Sequence, residues 1–224
     1  NDTEYIIFSR TGQGATTRAT TRTRTRATYT PSAFAKEGEP TLSPPDMLFA
    51  NYYENYYAEK VVEPTDVEVE LQPLVFTYKI RYEFKSGLEY VAMARGALSG
   101  MASSVLLNTG ETSEESATLL FDCEVTDYGV RAIVNSFGAP GYPNPNYPTR
   151  ADNPHALNLE ILLRNGKTID FDFDVTNQLK SQPHGGVIVV NDIVISDDDG
   201  KQGSGAFDVE VDEWGPYEDV PLPL

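Results

Sequence analysis

Residues 168–175 read Thr-Ile-Asp-Phe-Asp-Phe-Asp-Val. Ile169, Phe171, Phe173 and Val175 fall on one side of this segment, and Asp170, Asp172 and Asp174 on the other. Successive side chains of a strand point to opposite faces, so a period of two selects a strand with one face in a core and one in water. The alternation recurs. Val67, Val69 and Leu71 interleave with Asp66, Glu68 and Glu70; Phe76, Tyr78, Ile80, Tyr82 and Phe84 with Thr77, Lys79, Arg81 and Glu83; Phe207, Val209 and Val211 with Asp208, Glu210 and Asp212. Further strands are predicted over 89–98, 117–125, 129–137, 156–164, 187–195 and 205–214. Asn165-Gly166 between two such runs predicts a hairpin with a type I′ turn. Val175 to Leu179 predicts a short helical turn with Thr176 as cap, and Gly138 to Pro148 a rigid surface loop. Eight or nine short strands without a long helix predict an all-β, Greek-key antiparallel β-sandwich.

The charge is as one-sided as the pattern. Seventeen Lys and Arg against 34 Asp and Glu give a net charge of −17 over 224 residues. Such a surface repels nucleic acid and anionic membranes, and suits cations or a basic partner. The single thiol, Cys123, sits in the apolar run Leu119 to Val125, where a lone cysteine reads as a small core residue. No apolar run reaches the length of a membrane-spanning helix. The chain opens at Asn1, one turn before the strand-like Tyr5–Phe8, with no leader pattern, and this predicts sequence upstream.

The first thirty residues differ from the rest. Arg10, Arg18, Arg22, Arg24 and Arg26 against Asp2 and Glu4 give them a net charge of +3, leaving −20 for the other 194 residues. Residues 15–28, ATTRATTRTRTRAT, could pair as a strand with Arg on one face. They lack an apolar face, which favours a mobile, solvated loop open to proteases. Four prolines mark a loop from Pro31 to Pro45, and a strand may be expected at Met47–Tyr53. Residues 1–64 offer too few strands for a sandwich of their own. The expected organisation is a partial N-terminal β domain with a Thr/Arg-rich loop (1–64) and a C-terminal β-sandwich (65–224).

The inventory for catalysis is thin. His155 and His184 each stand beside a proline or glycine turn and read as exposed loop histidines. With Cys123 they show no zinc spacing. No nucleophile elbow, phosphate-binding loop or dinucleotide fingerprint is present. Asp197-Asp198-Asp199-Gly200 fails the calcium-loop pattern because position 206 is Ala, and reads as a β-turn. A hydrolase would need a convergent carboxylate pair in a cleft. No catalytic, cofactor-binding or metal-ligating residue is assigned. The candidate contacts are aromatic: Tyr52, Tyr53, Tyr56 and Tyr57, and the loop tyrosines Tyr142 and Tyr147. Either set could stack a sugar, or cover a sheet edge.

LQPLVFTYKIRYEF (71–84), ARGALSGMASSV (94–105), LRNGKTIDFDFDVTNQL with PHGGVIVV (163–190) and GAFDVEVDEWG (205–215) resemble a family of surface lipoproteins of Bacteroides-type bacteria, related to fimbrillin and fimbrial anchor proteins. The resemblance implies two transthyretin-like β-sandwich domains, the N-terminal one incomplete here, and export to the outer-membrane surface. It implies a lipid anchor on an N-terminal cysteine that this chain lacks. The role it implies is non-enzymatic: fimbria assembly, anchoring or adhesion, with other fimbrial or surface proteins as partners and no cofactor. A carbohydrate-binding surface module is the alternative. Association through sheet edges would use an extended segment, with Tyr5–Phe8 and the tail Tyr217–Leu224 as candidates.

Overall fold

The computed structural model describes residues 4–9, 17–54, 56–57, 66–142 and 153–201, and the backbone of 218–220. The predicted strand at 205–214 and Tyr147 lie outside the described residues. Fifteen strands are described: β1 (Ile6–Ser9), β2 (Arg18–Thr21), β3 (Thr23–Thr25), β4 (Thr41–Leu42), β5 (Phe49–Ala50), β6 (Gln72–Pro73), β7 (Phe76–Ser86), β8 (Val91–Ala102), β9 (Ser104–Leu106), β10 (Ser116–Thr126), β11 (Gly129–Ser136), β12 (Ala156–Leu163), β13 (Thr168–Asp174), β14 (Gly186–Val194) and β15 (Glu218–Val220). Two single-turn helices, α1 (Thr176–Lys180) and α2 (Asp197–Lys201), accompany them.

One ten-stranded sheet dominates. Its main path runs β13-β12-β8-β10-β11-β7-β14, with β4 added to β10, β3 to β4 and β15 to β3. β10 forms the corner: residues 116–123 pair with β8, and the tip 124–126 pairs with β11. The sheet therefore folds back into two layers. Leu98, Leu119, Leu157, Leu159 and Ile161 of one layer meet Tyr78, Ile80, Tyr82, Val134 and Ile188 of the other in a single core. This is the expected β-sandwich, and the period of two in β7 selects its buried face. Two pairings are parallel rather than antiparallel, β14 with β7 and β4 with β10. A smaller sheet, β1-β2-β9, covers a second cluster of Ile6, Ala19, Leu74, Val75, Ala102, Val105 and Phe137. Residues on both sides of position 64 thus share sheets and cores.

The Thr/Arg run is not a loop. Residues 18–21 and 23–25 are strands, and Ala19, Thr21 and Arg26 are buried. The missing apolar face is replaced by polar anchoring: Thr21 donates to the Ser43 carbonyl at 2.9 Å, and Arg26 pairs with Glu160 at 3.4 Å. The heads of Arg18, Arg24 and Arg26 meet acceptors in the Ser104 hydroxyl, the Leu120 carbonyl and the Gly96 carbonyl. Trypsin acting on native protein should therefore leave the bond after Arg26 intact and cut it only after unfolding. Mass spectrometry of a brief digest checks this.

Other expectations need correction. Residues 66–71 form no strand, and Val67, Val69 and Leu71 are exposed, because none of the described residues covers their side chains. The strand expected at 47–53 shrinks to β5, paired only with β6. The hairpin at Asn165-Gly166 exists, but Gly166 alone takes a positive φ (84°), whereas a type I′ turn needs two such residues. The Leu163 N–H reaches the Lys167 carbonyl and the Gly166 N–H the Leu163 carbonyl, closing a three-residue loop instead. Thr176 lies inside α1, whose cap position is Val175. Gly138, Ala139 and Pro140 are buried beneath the 183 turn rather than on the surface. Asp197–Lys201 is one helical turn, with Ser196 Oγ accepting the Asp199 N–H at 3.1 Å.

Candidate functional site

Buried charge is the first place to look for chemistry. Glu160, on the outer face of β12, has Asp170 directly opposite on β13 and Arg95 on β8. Arg26 and Glu160 form an ion pair in which each side chain is only 1% exposed. Thr28 donates to the Glu160 carboxylate at 2.9–3.0 Å. Burial, and then the Glu160 charge, push the Asp170 carboxyl above its ordinary value. The register brings two carboxylates together, as a hydrolase would require. Glu160 lies under the 23–28 segment rather than in a cleft and holds that segment down, while Asp170 is exposed beside it. Glu39 acts likewise, accepting the Gly100 N–H at 3.1 Å and the Thr118 hydroxyl at 2.9 Å.

His155 is a core residue, not an exposed loop histidine: it is 3% exposed and its ring abuts Gly100. Burial lowers its pKa to about 4 from 6.5. The folded state thus holds the neutral ring while the unfolded chain protonates. Its contribution is intact above pH 6.5 and is lost as pH falls toward 4, about 3 kcal/mol at 1.36 kcal/mol per unit. His155→Gln should flatten the acid limb of stability across that window, read as urea midpoints at stepped pH.

The second histidine lies at a cavity of about 230 Å³ where five chain segments meet: 50–51, 72–76, 107–110, Tyr142 and His184. His184 stacks on Phe76, with centroids 4.3 Å apart and planes 17° apart, and meets Tyr142 edge-on at 3.9 Å. Partial burial lowers the His184 pKa from its ordinary value. The walls are fixed from behind. Tyr78 donates to the Gln182 carbonyl at 2.9 Å, and the Gln182 amide brackets Val187 by accepting its N–H at 2.7 Å and donating to its carbonyl at 3.0 Å. This braces the turn carrying His184. The Thr112 hydroxyl accepts the Tyr142 N–H at 2.8 Å and donates to the Ala139 carbonyl at 2.7 Å. Asn51 and Gln72 come from the β5–β6 ribbon, and Asn108 from the turn after β9. Asn108 Oδ1 is buried and accepts no hydrogen bond from the described residues.

Of the aromatic candidates, only Tyr142 lines this cavity, and Tyr147 lies outside the described residues. Tyr52, Tyr53, Tyr56 and Tyr57 stand on the surface beyond β5. With Met47, Phe49, Val67, Val69 and Leu71 they are between 38% and 84% exposed. Asn51 Nδ2 donates to the Glu70 carbonyl at 2.5 Å, which joins the two strands of this ribbon past their short ladder. Sequence reasoning missed Phe76, Asn108 and His184. Phe76 reads as one more apolar strand residue, and His184 as part of a turn; no local pattern links them.

Comparison with known proteins gives a family and a fold. The profile of a family described as a domain of unknown function (DUF5119) matches residues 1–122. The chain is similar to the crystal structure of a candidate adhesin from Bacteroides ovatus, with a TM-score of 0.57 and 21% identity over 88% of this chain and 70% of that one. No protein of curated function matches the chain.

Proposed function

The chain belongs to the DUF5119 family, a domain of unknown function, and on that premise we propose that it is a non-enzymatic cell-surface protein of adhesion type. Within that class it acts as a fimbrillin-like subunit or as an accessory or anchor protein of fimbria assembly. The observation that carries this reading is the β5–β6 ribbon with its exposed Met47, Phe49, Tyr53 and Leu71. Soluble monomers rarely leave a large apolar patch uncovered unless another surface is to cover it. The fold shared with the Bacteroides ovatus protein supports the same class.

Strand addition at the sheet edges is a weaker route. β1 already pairs with β2, and β15, the described part of the Tyr217–Leu224 tail, with β3, so both have a partner strand within the chain. On β14, Gln178 accepts the Val189 N–H at 2.9 Å and donates to its carbonyl at 2.8 Å, while Gln182 does the same for Val187. Two amides thus imitate a neighbouring strand and blunt that edge. The partner surface is therefore the ribbon, and the partners are other fimbrial or surface proteins. Cys123 packs against the core within β10, with its thiol pushed up by burial, and so is not placed to carry a lipid.

The test is a pull-down with fimbrial and other surface proteins of a Bacteroides-type bacterium, together with adhesion of protein-coated beads to cells bearing them. A Phe49→Ser, Tyr53→Ser, Leu71→Ser variant with an unchanged unfolding midpoint should lose both signals. Full retention of both would overturn the reading.

A further inference from the structure

We infer that the cavity walled by Phe76, Tyr142 and His184 binds one neutral pyranose unit of a glycan. The inference concerns the cavity alone and goes beyond the contact surface proposed above.

Its size sets the scale. About 230 Å³ equals roughly eight waters at about 30 Å³ each. That is below the usual span for drug-sized ligands, roughly 300–1,000 Å³, so it admits a single ring-sized group.

Its chemistry then narrows the class. The protein carries a net charge of −17, yet among the described residues no Asp, Glu, Lys or Arg lines the cavity. An anion would find no counter-charge there, and a cation no carboxylate. The polar side chains among the described lining residues are all uncharged or weakly basic: the amides of Asn51, Gln72 and Asn108, the hydroxyls of Thr109 and Tyr142, and the His184 imidazole. Amides both donate and accept, which suits hydroxyls. The remaining walls combine small and aliphatic residues, Pro73, Leu74 and Leu107 among them, with the packed rings of Phe76, Tyr142 and His184, an apolar surface that suits the C–H side of a pyranose. A ligand with one apolar face and a ring of neutral hydroxyls matches both sets of groups.

Asn108 supplies an independent sign of a missing partner. A buried carbonyl oxygen without a donor is uncommon in a folded protein and is costly to leave unmade. Asn108 Oδ1 is such an atom, at the wall of the cavity. A sugar hydroxyl donating to it would satisfy it. The network behind Tyr142 and His184 holds both rings in place before any ligand arrives, which lowers the ordering cost of binding.

The test uses saturation-transfer NMR and calorimetry on the full chain. The probes are the methyl glycosides of glucose, galactose, mannose and N-acetylglucosamine, with phenylalaninamide as a stand-in for an aromatic peptide side chain. At least one glycoside should bind in the millimolar range, with little dependence on salt. His184→Ala and Asn108→Ala, both at the cavity rim or turn, should each weaken it by about tenfold, equal to about 1.4 kcal/mol. The ribbon variant Phe49→Ser, Tyr53→Ser, Leu71→Ser should bind the glycoside as before, which separates this result from the adhesion test. Three outcomes would overturn the inference: silence from all four glycosides, binding by phenylalaninamide alone, or glycoside binding unchanged in both cavity variants.

Discussion

Glu160→Ala should lower the free energy of unfolding by about 3–5 kcal/mol, the usual cost of leaving one member of a buried ion pair without its partner. Arg26 would then be a buried guanidinium beneath the sheet, and the Thr28 hydroxyl would lose its acceptor. Urea denaturation measures the loss as a fall in midpoint. Replacing both partners by apolar residues, Arg26→Met with Glu160→Leu, should cost less than the single change, because neither charge is left behind. Equal losses in the single and double variants would mean that the pair does not hold the 23–28 segment in place. Trypsin sensitivity after Arg26 should rise in Glu160→Ala and give a second, independent reading.

Gly100→Ala is expected to cost about 2–5 kcal/mol, from about 1–2 for a left-handed residue and about 1–3 for overpacking. Gly100 sits in β8 at a φ of +81°, and a Cβ there would stand 2.3 Å from the Pro154 carbonyl oxygen and 2.7 Å from His155 Nδ1. The close contact is with backbone, so no side-chain rotation relieves it. Thermal unfolding followed by circular dichroism would show the drop. A midpoint within error of the parent would mean that the Pro154–His155 turn can withdraw from β8 at little cost. The substitution also links to the acid behaviour of the protein. Displacing His155 toward solvent would raise its pKa toward the ordinary value and shrink the pH-dependent loss, so the pH profile of Gly100→Ala should be flatter than the parent's.

The sandwich was legible wherever alternation was strong and both layers covered the strand. In β7 the apolar set Tyr78, Ile80 and Tyr82 is buried, as its spacing requires. β12 reads as a nearly continuous apolar run, and it is covered on both faces. The same alternation misleads at 67–71, where the pattern is present but no layer among the described residues covers it. The opposite error arises at 18–26. A segment without an apolar face looks like a loop until its acceptors are known, and those belong to strands far away in sequence: Thr28 and Glu160 are 132 residues apart.

The candidate site divides along the same line. Tyr142 could be named from the sequence because a tyrosine in a proline-rich loop is a local signal. Phe76, Asn108 and His184 could not, since each belongs to a different segment and acquires meaning only where those segments converge. By itself the sequence determined the long strands of the sandwich, β7, β8 and β10 to β14, which face of β7 seeks a core, and the strongly negative net charge. These follow from backbone geometry and charge, which act over a few residues. The tertiary structure alone decided that β10 turns the corner between layers, that Arg26 meets Glu160, and that three rings and three amides share a cavity. Those pairings depend on strand order and on contacts between distant segments, where many arrangements satisfy the same local pattern and packing selects one.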